Sequence, residues 1–367
     1  MKVKRFILLT ATLVFFAACV YVDGDASTPP AGAQVQPLSH MEAVTIGAGT
    51  PWALNGMLNI PDHASAQNPV PAVVIVQGSG PSDMDGNLGE LNPFYPAHPY
   101  LDIARHLADN GIAVIRHDKR TLTHGEAMMT QPFTLYEEAI ADALLATEIL
   151  RADPRIDNDR IFILGHSMGG VVIPRVHLMG GDFAGLIFMA ASPASMIDLI
   201  ERQMNDQIST ILNDPASDEA LIAATLAAQA ELAPLIAQAQ EVQAQIPSMT
   251  AEEAQQTPIF ILGSSAYYYW DMQMNQMGDL IPQIAAPMLV LQPARDFQVT
   301  MEHDWPLMQE IFGQLPNATM RVYENLNHMF SQSTATNHWT HALEISTTQV
   351  RVDRGVLEGI VNWINAN

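Results

Sequence analysis

The sequence predicts an α/β protein: a mostly parallel central sheet, helices on both of its faces, and a helical cap inserted late in the chain. Three observations point there. Short apolar runs rich in Val, Ile and Leu, such as PAVVIVQG (71–78) and RIFILGHS (160–167), suit strands buried on both faces. They alternate with stretches whose apolar residues recur at helical spacing. The segment 195–285, rich in Ala, Gln, Met and Leu, then breaks that rhythm. With 367 residues, 48% hydrophobic and 15% charged, the chain can bury a large core.

In chain order, residues 1–18 read as an export leader. Lys2, Lys4 and Arg5 form a basic start, and Phe6 to Ala18 an apolar run too short for a typical membrane-spanning helix. The run ends in FFAAC at Cys19, the only cysteine, which resembles the lipobox of bacterial lipoproteins with Phe16 in place of the usual leucine. That resemblance implies lipidation of Cys19 and a mature protein in the periplasm or cell envelope, with the membrane touched only through the anchor. Ordinary cleavage at the Ala-rich site is the alternative. A lone cysteine excludes an internal disulfide. Residues 19–40 read as anchor and linker, being small, polar and proline-rich.

The folded core is expected over 41–194 and 286–367. EAVTIG and ALNGMLNIP open it as two antiparallel strands. Further strands are predicted at 71–78, 111–118, 160–167, 183–191, 286–296 and 318–328. PYLDIARHLADNG and TLYEEAIADALLATEILRAD carry helical periodicity between them. Within 195–285, only IFIL (259–262) is strand-like, so several helices are expected there, placed to cover a pocket.

Formal charge is −23, and loss of residues 1–18 removes three cations and no acid, leaving −26. Lys119 is then the only lysine. So acidic a surface repels nucleic acid and anionic membrane, which excludes both as partners.

Gly165-His166-Ser167-Met168-Gly169 matches G-x-S-x-G at a predicted strand-to-helix junction, the context that motif needs. A serine on so sharp a turn needs small neighbours, and the helix behind it aims its N-terminal amides where negative charge would develop. Serine is a weak nucleophile unless a base, oriented by a carboxylate, takes its proton. Asp296 and His328 end the two strands that follow in the order acid, then base, and would emerge on the sheet edge that carries Ser167. Asp304 is the runner-up acid, but it lies too far past its strand. His303, His338 and His341 do not directly follow a strand. Met168 supplies one backbone donor for an oxyanion, and the loop Gln77-Gly78-Ser79-Gly80 the other, Ser79 ahead of Gly78. DMDGN (83–87) lacks the glycine and glutamate of a calcium loop, so no metal is expected. The charged triplet Asp118-Lys119-Arg120 is expected to pin loops through ion pairs rather than bind a substrate carboxylate.

These motifs together resemble the α/β-hydrolase superfamily, and more narrowly the lid-bearing, EstD-like bacterial carboxylesterases. The matching stretches are GSGPSD (78–83), RHDKRTLTHG (116–125), ILGHSMGG (163–170), PARDFQVT (293–300) and LNHMF (326–330). The resemblance implies an α/β-hydrolase fold, with Ser167, Asp296 and His328 as nucleophile, acid and base. Gln77 stands where that family usually has histidine. YYYWDM (267–272) resembles an aromatic element near the family's pocket, so Tyr269 and Trp270 are expected to line it, a buried lid core being the alternative. The function implied is a serine hydrolase cleaving small carboxylic esters through an acyl-enzyme, without metal or organic cofactor. Its rivals are a serine aminopeptidase or dipeptidase, and a non-catalytic envelope protein that binds a ligand.

Overall fold

A computed structural model describes residues 39–87, 97–215, 217–257, 260–261, 264–337, 340–341, 344 and 351–367. The expected leader, Cys19, the linker up to residue 38 and His338 lie outside the described residues.

The elements follow the alternation read from the sequence. β1 (Ser39–Ile46), β2 (Leu54–Pro61) and β3 (Val70–Val76) lead to α1 (Pro99–Asp109) and β4 (Ala113–His117). A π-helical turn (Tyr136–Ile140) runs into α2 (Ala141–Ala152), then come β5 (Ile156–His166), α3 (Met168–Val176) and β6 (Gly185–Met189). Four helices follow, α4 (Met196–Asn213), α5 (Glu219–Gln245), α6 (Ala251–Gln256) and α7 (Ala266–Met274), with the two-residue strands β7 (Phe260–Ile261) and β8 (Ser264–Ser265) before the last. β9 (Met288–Pro293), α8 (Asp304–Phe312), β10 (Ala318–Tyr323) and α9 (Arg354–Ala366) complete the chain.

Eight strands form one sheet in the order β1-β2-β4-β3-β5-β6-β9-β10. β2 pairs antiparallel with β1 and β4, and the other pairings are parallel. Side chains alternate between two cores, as the pleat requires. On β3, Ala72, Val74 and Val76 join one core, and Val73 and Ile75 the other. β5 and β6 divide in the same way, Ile163 and Phe188 to the first core, Leu164 and Ile187 to the second. α2, α3 and α8 cover the first face, and α1 and α9 the second. The division follows from right-handed crossovers. The step from β3 to β4 runs one way along the sheet, the later steps run the other way, and reversing direction exchanges the face. That reversal opens a crevice at the carboxyl ends of β3 and β5, where ligands bind in open α/β sheets.

The four longer helices described in the inserted segment start on side chains that suit helix entry. Ser195, Asp218, Thr250 and Ser265 each accept a backbone N–H in the first turn of the next helix. α4 and α5 lie antiparallel, closed by Met204, Leu232 and Ile236. Extended to Ser248, α5 contains an 18-residue window with a mean hydropathy of 1.6 and is long and apolar enough to cross a membrane by length and composition alone. Here it packs along α4. Within IFIL, the described residues Phe260–Ile261 form the short β7, paired with β8.

α3 presses against the end of β3 so closely that a Cβ on Gly169 would lie 2.1 Å from the Val76 carbonyl oxygen. Gly169→Ala should therefore displace backbone rather than a side chain, lowering stability by about 3 kcal/mol or more in urea unfolding.

Candidate active site

Ser167 sits between β5 and α3 with φ at 55° and ψ at −123°, a conformation that costs a non-glycine residue about 1–3 kcal/mol. Its N–H donates to the Met189 carbonyl at 2.8 Å, and its own carbonyl accepts from Gly170 N at 2.9 Å. The turn is thus held from both sides. No room exists for a side chain at Gly165, where a Cβ would meet the Gly169 carbonyl oxygen at 2.4 Å.

Asp296 follows β9 and His328 follows β10, its parallel neighbour. Their side chains meet, with His328 Nδ1 to Asp296 Oδ2 at 2.7 Å, and both residues are buried. Asp296 Oδ1 accepts the N–H groups of Gln298 and Val299 at 2.8 and 2.9 Å. Burial would push this carboxyl up, but the His328 imidazole and the backbone donor outweigh it, and the net shift is below the ordinary value. An ionised Asp296 makes Nδ1 the protonated nitrogen and turns Nε2 into the lone-pair side. His328 is tied to the nucleophile turn through its backbone, its carbonyl accepting from His166 Nε2 at 2.9 Å. Among the described residues Ser167 Oγ and His328 form no direct hydrogen bond, a contact that often closes only when substrate binds.

The competing candidates have other duties. Asp304 is fully buried and pairs with Arg202 from α4 at 2.7 Å, besides Ser192 at 2.6 Å, so it has no imidazole to orient. His303 is exposed. His341 is buried beside the site, its Nε2 facing the His328 N–H at 3.5 Å.

Gly78 lies against Ser167: a Cβ there would be 3.2 Å from Ser167 Cβ. Its N–H is already committed to Tyr100 Oη at 3.1 Å, and its carbonyl accepts from Lys119 Nζ at 2.7 Å. Gly78 is therefore not free to donate. Carbonyl and N–H of one trans peptide point in opposite directions, so the lysine aims the Ser79 N–H away from itself. Met168 is the first residue of α3, where N–H groups have no intrahelical acceptor. Gln77 does not reach the site. Its amide donates to the carbonyls of His117 and Asp83 at 2.7 and 2.9 Å and accepts from Ser82 Oγ at 2.8 Å.

A buried relay joins these parts. His166 Nε2 faces a carbonyl and must carry the proton, so Nδ1 accepts from Tyr100 Oη at 3.0 Å, and Tyr100 in turn accepts from Gly78 N. Burial pushes the His166 pKa down to about 3, which keeps it neutral and suits this arrangement.

The triplet at 118–120 pins loops as expected. Lys119 pairs with Glu138 at 2.8 Å, and Arg120 pairs with buried Asp142. Of the consecutive aromatics on α7, Tyr269 lines a cavity of about 330 Å³ between α3 and the inserted helices, with Val171, Asp198 and Met277. Ser167 and His328 are not among its walls. Trp270 stacks on Tyr267 and donates to the Met249 carbonyl at 3.0 Å, packing within the inserted segment. The aromatic that reaches the nucleophile turn is Tyr268. Its hydroxyl lies 2.7 Å from Glu138 Oε2 and 3.5 Å from Met168 Sδ. Among the described residues, no group of three His, Cys, Asp or Glu side chains could hold a metal ion.

The sequence model of the family described as "Serine aminopeptidase, S33" matches residues 97–333, from α1 to the loop after His328. The chain belongs to this family. It is also 28% identical over 313 residues to Esterase EstD of Thermotoga maritima, a match covering 85% of this chain and 65% of that protein's length. Est1E from Butyrivibrio proteoclasticus superimposes with a TM-score of 0.51 at 14% identity, covering 89% of this chain and 99% of Est1E. The complex of Est1E with ferulic acid gives the same TM-score. At that identity the likeness speaks for the fold, and the fold is the α/β-hydrolase fold.

Within this S33 scaffold, sequence reasoning passed over Tyr100, Glu138 and Tyr268. Lys119 carried one visible signal, as the only lysine after Lys4. His166 generates a pH prediction. Its folded pKa lies below the unfolded value near 6.5, so its contribution to stability is complete above that pH and is lost as pH falls towards 3. The loss should reach about 1.4 kcal/mol per pH unit. Chemical denaturation between pH 6.5 and 5, above the carboxylate range, should show it, and His166→Gln should flatten the dependence.

Proposed function

We propose that the protein is a serine hydrolase that cleaves small carboxylic esters through an acyl-enzyme. The observation that carries this reading is the buried Asp296–His328 pair, 2.7 Å apart, at the sheet edge where Ser167 sits in its positive-φ turn. Asp296 holds the imidazole with Nδ1 protonated, and Nε2 takes the Ser167 hydroxyl proton as Oγ bonds to the substrate carbonyl carbon. The developing oxyanion is bound by the N–H groups of Ser79 and Met168. Collapse of the tetrahedral intermediate breaks the bond to the alcohol, which leaves with the proton from Nε2. Water, deprotonated at the same nitrogen, then attacks the acyl-enzyme, releasing the acid and restoring Ser167.

The amide-cleaving alternative takes its support from the family description. Recognition of a free substrate amine would want an unpaired carboxylate near Ser167. Glu138 and Asp296 are engaged by Lys119, Tyr268 and His328, which favours esters. We further propose that the FFAAC motif exports the chain and anchors it through lipid on Cys19. Palmitate labelling should then be lost in Cys19→Ala.

Short-chain p-nitrophenyl esters should be hydrolysed far faster than aminoacyl anilides. Ser167→Ala should lower kcat by about 10⁴-fold or more, and Asp296→Asn by about 10⁴-fold. The Ser167 variant should unfold at the wild-type temperature, because its half-buried hydroxyl contributes little packing.

A further inference from the structure

We propose that Tyr268, carried by helix α7 of the inserted segment, is a positioning residue that completes the oxyanion hole through Glu138 and Lys119. The inference rests on the hydrolase reading above and adds a part to that site.

Four hydrogen-bonded groups from four separate places form the relay. Tyr268 Oη donates to Glu138 Oε2 at 2.7 Å, and Lys119 Nζ donates to Glu138 Oε1 at 2.8 Å and to the Gly78 carbonyl at 2.7 Å. Tyr268, Glu138 and Lys119 are 3%, 6% and 3% exposed, so water does not screen these contacts or replace a lost partner. Gly78 needs outside support because it lacks a side chain and its backbone is the most permissive of any residue. Tyr100 pins the peptide before it and Lys119 the peptide after it. That second peptide contains the Ser79 N–H. An ammonium on its carbonyl fixes the direction of the N–H and polarises the amide, which strengthens the N–H as a donor.

Tyr268 decides whether Lys119 stays there. With the phenol in place, each Glu138 oxygen has its own donor. Without it, a buried carboxylate oxygen is unpaired, and the nearest relief is for the ammonium to swing onto both oxygens, leaving Gly78. The same hydroxyl touches Met168 Sδ at 3.5 Å, beside the second oxyanion donor. One hydroxyl of the inserted segment therefore reaches the supports of both proposed donors, Glu138 on the Ser79 side and the Met168 side chain on the other.

The test is Tyr268→Phe, which keeps the ring packed against Phe133. With a short-chain p-nitrophenyl ester, kcat should fall about tenfold while KM stays within twofold, less than the ~100-fold that loss of a direct oxyanion donor costs. The inhibition constant of a boronic acid, which forms a tetrahedral adduct on Ser167, should rise by the same factor. Glu138→Gln should lose kcat similarly and decides the matter should Tyr268→Phe fail to fold. Adding Tyr268→Phe to Glu138→Gln should cost nothing further, because both act through one path. An unchanged kcat, a loss confined to KM, or losses that multiply in the double variant would overturn the proposal. A wild-type protein inert towards esters and unlabelled by a fluorophosphonate would overturn the hydrolase reading, and this proposal with it.

Discussion

Backbone meets backbone where α3 leaves β5, and the geometry of the candidate site descends from that contact. Gly165 and Gly169 let the first turn of α3 press onto the end of β3, with no Cβ to hold the elements apart. The approach brings the N-terminal turn of α3 against the end of β3 and the start of the loop after it. It also forces Ser167 into a positive φ, which lifts its hydroxyl off the sheet edge. Strain of this kind survives only where the surroundings over-determine it. Here they do, through Met189 on one side and Gly170 on the other.

The inserted helices are joined to this centre by polar anchors as well as by apolar packing. Arg175 on α3 grips Asp271 on α7 with two hydrogen bonds, at 2.7 and 3.0 Å. Arg202 on α4 grips Asp304 at the start of α8, and Tyr268 reaches Glu138. Buried ion pairs are poor sources of net stability, since desolvation offsets most of their attraction. Their value is in register: each demands one partner in one geometry, where an apolar contact tolerates sliding. Two such pairs and the Tyr268–Glu138 hydrogen bond fix how α4 and α7 sit over the sheet edge.

Much of the site could be read from the linear sequence because its reactive side chains follow strand ends. A strand announces itself by local pattern, and parallel strands deliver their carboxyl ends to one edge. Ser167, Asp296 and His328 could be named on that ground alone. The aromatic run on α7 could not be resolved in this way. Successive helical residues point about 100° apart, so Tyr267, Tyr268 and Tyr269 face three environments, and nothing local says which face is buried. Packing sends Tyr267 against Trp270, Tyr268 towards Glu138 and Tyr269 to the cavity wall.

By itself the sequence determined the α/β alternation, the two-sided burial of the strands, the strained serine turn and the chain order of Ser167, Asp296 and His328 at their strand ends. Each is a local pattern or a consequence of parallel topology. Tertiary structure alone decided which backbone N–H is engaged in the loop after β3, because Tyr100, 22 residues away, occupies that of Gly78. It also decided that Glu138 should meet a tyrosine 130 residues downstream. Hydrogen bonds of such span depend on how whole elements dock, and docking is settled by the summed shape of the core, which no short stretch of sequence contains.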